Sequence, residues 1–312
     1  MSSSIPPATE HVRCPLCRAN NCRLLSVQKG IYGVVKCRVC GLVYLSPRPT
    51  RDAIAAIYDE EYYKDPTVGY PDYLKTFYDH REVIMQIFGE RLEAVNRFKE
   101  KGRILEVGCA YGTLLDHFRK HGWDTYGVEL SKASSRYASD VLELNVQNVP
   151  FSDANLPDSF FDVILMLDVI EHFPDHKVAF DVVRGALKED GIIVAQVPWE
   201  LSHWEKVLCA IANSRKPGTI EPDAVPAHLC FFTPRTLRLM LEKHGFEVIE
   251  RGSGNYGRIR ERIFPPDTAD KCLLRRLLKI IYYRLGVRRL LRHLAPRLKQ
   301  GSGVILYAKK RG

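Results

Sequence analysis

Arg103-Ile104-Leu105-Glu106-Val107-Gly108-Cys109-Ala110-Tyr111-Gly112 decides how the rest of this 312-residue chain is read. A short aliphatic and β-branched run enters a turn punctuated by two glycines, and Leu114, Leu115 and Phe118 then recur at helical spacing. Strand, tight turn and helix form the unit that aims backbone N–H groups and a helix start at a bound nucleotide. Gly108 frees the chain to turn where a side chain would clash, and Gly112 is expected to let backbone lie close to a ligand. Asp124 to Val128 is a second strand candidate, and Glu129 stands at its carboxyl end, about twenty residues after the first glycine. An acidic side chain at that place takes the two hydroxyls of a ribose, so the two signals together predict a ribose-bearing ligand. NAD would satisfy the same geometry.

Further along, the matches become specific. Leu105 to Gly112, Gly127-Val128-Glu129-Leu130-Ser131, Phe161 to His172, and His228-Leu229-Cys230-Phe231-Phe232-Thr233-Pro234-Arg235-Thr236-Leu237 resemble the class I S-adenosylmethionine-dependent methyltransferases. The resemblance runs from about residue 100 to 251 and resumes at 302–309. Gly108-Cys109-Ala110 departs from the Gly-x-Gly-x-x-Gly of dinucleotide oxidoreductases. The resemblance implies an α/β fold, a Rossmann-like seven-stranded sheet whose last strand, Gly303 to Lys309, is inserted antiparallel. It implies S-adenosylmethionine held by Glu106, Gly108, Cys109, Ala110 and Gly112, by Glu129, Leu130 and Ser131, and by Leu167 at the end of strand four. Ser152 and Asp153 would face the adenine amino group, with Asn148 as the alternative if the loop registers differently.

A sulfonium methyl is already activated, so such an enzyme must align acceptor and donor, exclude water and, for a high-pKa hydroxyl or a carbon acid, supply a base. Three histidines are candidates for that base. His172 follows strand four, and His203 and His228 belong to Trp199–His228, a stretch too polar and too interrupted by proline to be core alone. The expected function is methyl transfer to a small-molecule, sugar or lipid-linked acceptor, at oxygen or carbon. Two other readings stay open: an NAD-dependent reductase or epimerase, and a zinc-bearing nucleic-acid or protein-binding module on a degenerate methyltransferase fold.

Ahead of this domain, Cys14-Pro15-Leu16-Cys17 and Cys37-Arg38-Val39-Cys40 are paired knuckles. Two-residue spacers let both sulfurs of a pair face one ion, and four thiolates predict a closed, structural Zn²⁺ site on Cys14, Cys17, Cys37 and Cys40. Nine cysteines, four of them so paired, favour a reducing compartment over disulfides. A module of this size has too little core to fold without the ion. Ile31 to Lys36 reads as its central strand.

The expected organisation is a disordered leader (1–10), a zinc ribbon (11–45), linker and lid helices (46–100), the cofactor-binding domain (101–251 with 302–310) and a basic helical insertion (252–301). Within the lid, Tyr62, Tyr63 and Tyr70 are placed near substrate, and Asp72 to Lys99 reads as one long amphipathic helix with a break at Gly89. From Lys271 onward there are thirteen Lys or Arg and no Asp or Glu, although the whole chain carries only +9. The body is therefore mildly acidic, which argues against nucleic acid as a partner. Residues 271–299 interleave leucine and isoleucine with cations, the pattern of short helices lying on an anionic membrane surface. Packing on the catalytic domain, or in a homodimer, is the alternative. No apolar run reaches the length of a membrane span, and the N-terminus lacks a secretory pattern. A cytoplasmic protein, peripheral on the membrane, is expected.

Overall fold

The computed structural model describes residues 8–57, 73–198, 225–254 and 303–311. The chain opens with β1 (Thr9–Glu10), β2 (Cys22–Gln28), β3 (Tyr32–Cys37), β4 (Val43–Leu45), β5 (Arg48–Pro49) and α1 (Arg51–Ile57). Lys29 (φ 48°) and Gly30 (φ 73°) turn β2 into β3, both in the left-handed region that a tight hairpin requires. Two helices follow, α2 (Tyr73–Asp79) and α3 (Arg81–Asn96). The single helix expected over Asp72–Lys99 thus breaks at His80 and not at Gly89. His80 leaves helical geometry (φ −122°, ψ 27°), and Phe77 stacks on Phe88 of α3, with ring centroids 6.4 Å apart. Gly89 is an ordinary helix position with open space where a Cβ would lie.

The main sheet is built from β6 (Arg103–Val107), β7 (Asp124–Val128), β8 (Asn145–Gln147), β9 (Phe161–Leu167) and β10 (Leu187–Pro198). After the short β11 (Cys230–Phe231), it is completed by β12 (Phe246–Gly254) and β13 (Gly303–Lys310). Its order is β12-β13-β10-β9-β6-β7-β8, and β13 alone runs antiparallel to its neighbours. This is the mostly parallel, Rossmann-like sheet that the resemblance implies, with its inserted closing strand. Helices α4 (Thr113–Lys120), α5 (Lys132–Arg136), α6 (His176–Ala186) and α7 (Pro234–Lys243) complete the layers.

Both faces of the central strands are covered, which is why Val163-Ile164-Leu165-Met166 is apolar without alternation. Val163 and Leu165 face Phe88, Leu92 and Val95 of α3 and Leu114 and Phe118 of α4. Ile164 and Met166 face Phe180 and Val183 of α6 and Leu237 and Met240 of α7. Strand β8 begins only at Asn145, because α5 runs into a π turn at Tyr137–Val141 and Leu142 and Leu144 pack beneath it.

The N-terminal strands are not a separate body. β11, which lies between β10 and β12 in sequence, pairs antiparallel with β4 (Cys230 with Tyr44, Phe231 with Val43), giving a four-stranded sheet β11-β4-β3-β2. Cys14, Leu16, Cys37, Leu42 and Tyr44 join the same core as α6 and α7. On the other side of the small sheet, Tyr32, Val34, Val43 and Leu45 pack with Val225, Leu229 and Phe231. Among the described residues no helix is long and apolar enough to cross a membrane. Tyr62, Tyr63, Tyr70, His203 and the basic stretch 271–299 lie outside the described residues.

Candidate active site

The glycine turn sits where β6 ends, at the carboxyl edge of the sheet. Gly108 has φ +71°, and a Cβ there would lie 2.5 Å from Cγ1 of Val169, so no other residue fits without displacement. Gly112, at the start of α4, also has φ +71°, but its missing side chain serves packing: a Cβ would meet Leu144 Cδ1 at 2.6 Å and Ala138 Cβ at 3.0 Å. The closeness required at Gly112 is therefore to the π turn, where ligand approach was expected. Cys109 turns its side chain into the core with Leu115, Ala138 and Leu144, and burial raises its thiol well above the usual range. Gly127 belongs to the same contact, since a Cβ there would lie 2.7 Å from Cys109 Sγ.

Glu129 is 3% exposed, and both its oxygens are engaged: Oε2 accepts from the Ala110 N–H (2.8 Å) and Oε1 from the Ser131 N–H (2.7 Å). Burial raises its carboxyl, and those donors with the Leu130 N–H work against that. It clamps the glycine turn to the end of β7. Each carboxylate oxygen retains a second lone pair for a further donor. Ser131 uses its hydroxyl to cap α5, accepting from the Ser134 N–H, while Leu130 is partly exposed beside it. Asn148 donates to the carbonyls of Glu129 and Leu130.

Glu106 is buried, and its Oε2 has no hydrogen-bond partner among the described residues. Burial pushes its carboxyl up to about 8; Arg91 opposes this and Glu129 adds to it. Above the turn, the Tyr73 hydroxyl meets Thr113 Oγ1 (2.8 Å) and its ring stacks on Tyr111 at 5.2 Å, so α2 roofs the loop. Arg91 donates to Gln196 Oε1 (3.1 Å), and Gln196 Nε2 donates to Asp168 Oδ2 (2.7 Å). Asp168, just past Leu167, stands at φ +54°, a conformation a non-glycine residue rarely adopts. Sequence reasoning did not single out Arg91, Tyr73 or Gln196. The one available signal was polarity, a Gln inside an otherwise apolar strand.

Ser152 and Asp153 occupy a short 3-10 turn. Ser152 donates to Asp153 Oδ1 (2.7 Å), and Arg51 donates to Ser152 Oγ (3.1 Å). Two of the three candidate histidines do come together. Glu171, 1% exposed, has Oε1 4.0 Å from Nε2 of both His172 and His228. The two imidazoles meet edge to face at 4.7 Å. His172 Nδ1–H donates to the Ala227 carbonyl (2.9 Å), and burial, with His228 beside it, lowers this imidazole to about 3. The backbone holds the group in place, for the Leu229 N–H donates to the Glu171 carbonyl and the Leu45 N–H to the Leu229 carbonyl.

The four knuckle cysteines converge as predicted, all four Sγ atoms lying within 4.8 Å of one another. Cys14–Cys40 and Cys17–Cys37 are each 3.5 Å apart. Arg18 (φ 62°) and Gly41 (φ 84°) turn the two knuckles, donating to the carbonyls of Cys14 and Cys37. Burial raises the thiols of Cys14 and Cys40; Cys37, despite its burial, is brought down to about 7 by the N–H groups of Cys40 and Val39.

A family model described as a methyltransferase domain matches residues 78–251. Among curated proteins, the ubiquinone biosynthesis O-methyltransferase of Colwellia psychrerythraea is 24% identical over 192 residues, 60% of this chain and 76% of the relative. The protein of the same name from Alkalilimnicola ehrlichii is 30% identical over 101 residues, 30% of this chain and 41% of the relative. Among solved structures, an S-adenosylmethionine-dependent methyltransferase from Archaeoglobus fulgidus superposes with TM-score 0.47 at 17% identity, covering 76% of this chain and 99% of that one. Another, from Mesorhizobium loti, gives 0.47 at 17% identity over 71% and 96%.

Proposed function

The chain belongs to the methyltransferase-domain family, and from that premise we propose that it methylates an oxygen of a small-molecule acceptor, with His228 as the base. It is an S-adenosylmethionine-dependent methyltransferase; the identity of the acceptor and the roles of the residues are our reading. The glycine turn fits such a cofactor. Glu106 keeps a buried oxygen without a hydrogen-bond partner among the described residues, Gly108 leaves no room for a side chain, and Glu129 retains lone pairs beside the turn it clamps. When bound, the cofactor supplies an electrophilic methyl on sulfur. Around it, Glu129, Leu130 and Ser131 would take the ribose side, Ser152 and Asp153 the adenine, and Glu106, Leu167 and the 108–112 backbone the rest.

The observation that carries the acceptor chemistry is the Glu171–His172–His228 cluster. His172 is committed through Nδ1 to the Ala227 carbonyl and stays neutral, so it orients its neighbour more readily than it takes a proton. His228 meets His172 edge to face, and Glu171 lies at ion-pair distance to stabilise the imidazolium that forms when His228 removes a hydroxyl proton. His203 is the alternative base. The names of the curated relatives support a small, oxygen-bearing acceptor, and a lipid-linked one would suit a basic segment, 271–299, resting on an anionic membrane. The test is His228→Ala, assayed with a panel of phenolic, sugar-nucleotide and polyprenylated acceptors by the mass of one added methyl. Turnover should fall by about 10²–10⁴ while S-adenosylhomocysteine affinity stays near that of the parent. Unchanged turnover would move the role to His203 or remove the need for a base.

The cysteine cluster is read as a structural zinc site. A disulfide is about 2.05 Å long, whereas a tetrahedron with Zn–S near 2.3 Å has edges of about 3.8 Å, close to the separations of Cys14–Cys40 and Cys17–Cys37. Buried thiols that resist ionisation are also those a cation would deprotonate on binding.

A further inference from the structure

Against the second knuckle lies an open cleft of about 480 Å³, lined by Arg23, Lys36, Arg38, Val39 and Arg235 together with the backbone of the Cys37–Gly41 turn. Four cations from four separate elements share it. Arg23 and Lys36 are direct cross-strand partners on β2 and β3, Arg38 sits inside the knuckle, and Arg235 is in the first turn of α7. Among the described residues no acidic one lines the cleft. All four side chains are exposed, and among the described residues none of them makes an ion pair or a side-chain hydrogen bond.

Like charges placed directly opposite on neighbouring strands are unfavourable, as Arg23 and Lys36 are, and two more cations at the same spot add to the cost. Some surface cations are instead paired locally, as in Lys177 with Asp181 and Arg238 with Glu242. Arg235 is three residues from Arg238 on the same helix and has no such partner among the described residues. A zinc ion on four thiolates would carry a net charge of −2, which offsets two of the four cations and leaves two. Forked guanidinium groups at a helix start are what phosphate oxygens match.

We propose that this cleft is the binding site for a phosphate or diphosphate group on a small molecule. Arg235 lies seven residues from His228, at most about 25 Å of extended chain, so the anion can be a remote handle of the molecule that is methylated. That last step rests on the methyl-transfer reading above; the anion site does not. Nucleoside diphosphates and isoprenoid diphosphates share the chemistry, and Val39, 64% exposed on the rim, offers an apolar edge to either.

Calorimetric titration of the full-length chain with inorganic pyrophosphate at low salt tests it, with uridine diphosphate and geranyl diphosphate as parallel arms. One saturable site is expected, weakened about tenfold or more in an Arg38→Ala/Arg235→Ala variant, while bound metal and S-adenosylhomocysteine affinity stay as in the parent. Tighter binding of one organic diphosphate identifies the source. No saturable binding, or equal affinity in parent and variant, overturns the proposal. A variant that loses metal yet binds pyrophosphate like the parent overturns it too, assigning the cations to the thiolate cluster as counter-charges. If the parent binds pyrophosphate but not S-adenosylhomocysteine, the methyl-transfer reading fails and the anion site stands.

Discussion

On the proposed reading Glu129 performs two tasks with one carboxylate, and its removal should show both. Replacing it with Ala unmakes the bonds to the Ala110 and Ser131 N–H groups, leaving one half-buried and one buried donor, and takes away the proposed ribose acceptor. S-adenosylhomocysteine should bind about 1–3 kcal/mol more weakly by calorimetry, and equal affinity would refute the assignment. Glu106 makes a different prediction. Its folded-state carboxyl is raised from 4.5 to about 8, chiefly by burial. Below about pH 4.5 both folded and unfolded chains hold the proton; between there and about 8 only the folded chain does. Stability from this group is therefore lost as pH rises, by up to about 1.4 kcal/mol per pH unit. Urea unfolding of the ligand-free parent and of Glu106→Gln should diverge from about pH 5 to about pH 8, with the variant gaining relative to the parent. Parallel profiles would mean that Glu106 ionises normally in the fold.

At the level of elements, the join between α4 and the π turn is a second tight place beside Gly108. Gly112→Ala forces a methyl into Leu144 and Ala138 at a positive φ, and should cost about 2–4 kcal/mol of unfolding free energy, read from the denaturant midpoint. A drop in cofactor affinity without a drop in stability would return Gly112 to the ligand-facing role that its spacing suggested. The parallel strands were legible because each is a local apolar run ended by polar residues, as at Phe161–Leu167, and Glu129 was legible because it stands one residue past such a run. Cysteine pairs announce themselves by spacing. By contrast, the Glu171–His228 approach joins residues far apart in sequence, and the pairing of Cys230 with Tyr44 spans more still. No periodicity within a segment encodes such partners. The break at His80 escaped notice because apolar spacing continues through it, and only the stacking of Phe77 on Phe88 requires the bend.

Taken whole, the molecule ties its cysteine cluster to the Glu171–His172–His228 cluster through one sheet. Protein purified without added zinc should carry one ion per chain by metal analysis, and Cys37→Ser should lose it; retention of a full equivalent would refute the four-thiolate site. Because β4 bonds to β11, and His228 lies two residues before β11, chelation should lower the melting temperature and depress turnover together. The basic stretch 271–299 is tested by flotation, where anionic vesicles should carry the protein and neutral ones should not, and Arg275, Arg276, Arg288 and Arg289 changed to Glu should abolish it. Sedimentation away from both vesicle types would leave the segment to packing or dimerisation.

The shared sheet also sets a timetable for synthesis. Leu45 and Cys230 are separated by 185 positions (230 − 45), so the first three strands of the small sheet leave the ribosome long before the fourth. At roughly 5–20 residues per second, that interval is roughly 10–40 s. Throughout it, Val43 and Leu45 lack the Leu229 and Phe231 that later cover them. The nascent N-terminus must wait with an apolar face open, and early capture of a metal by the cysteines would be its means of holding shape until translation supplies the missing strand.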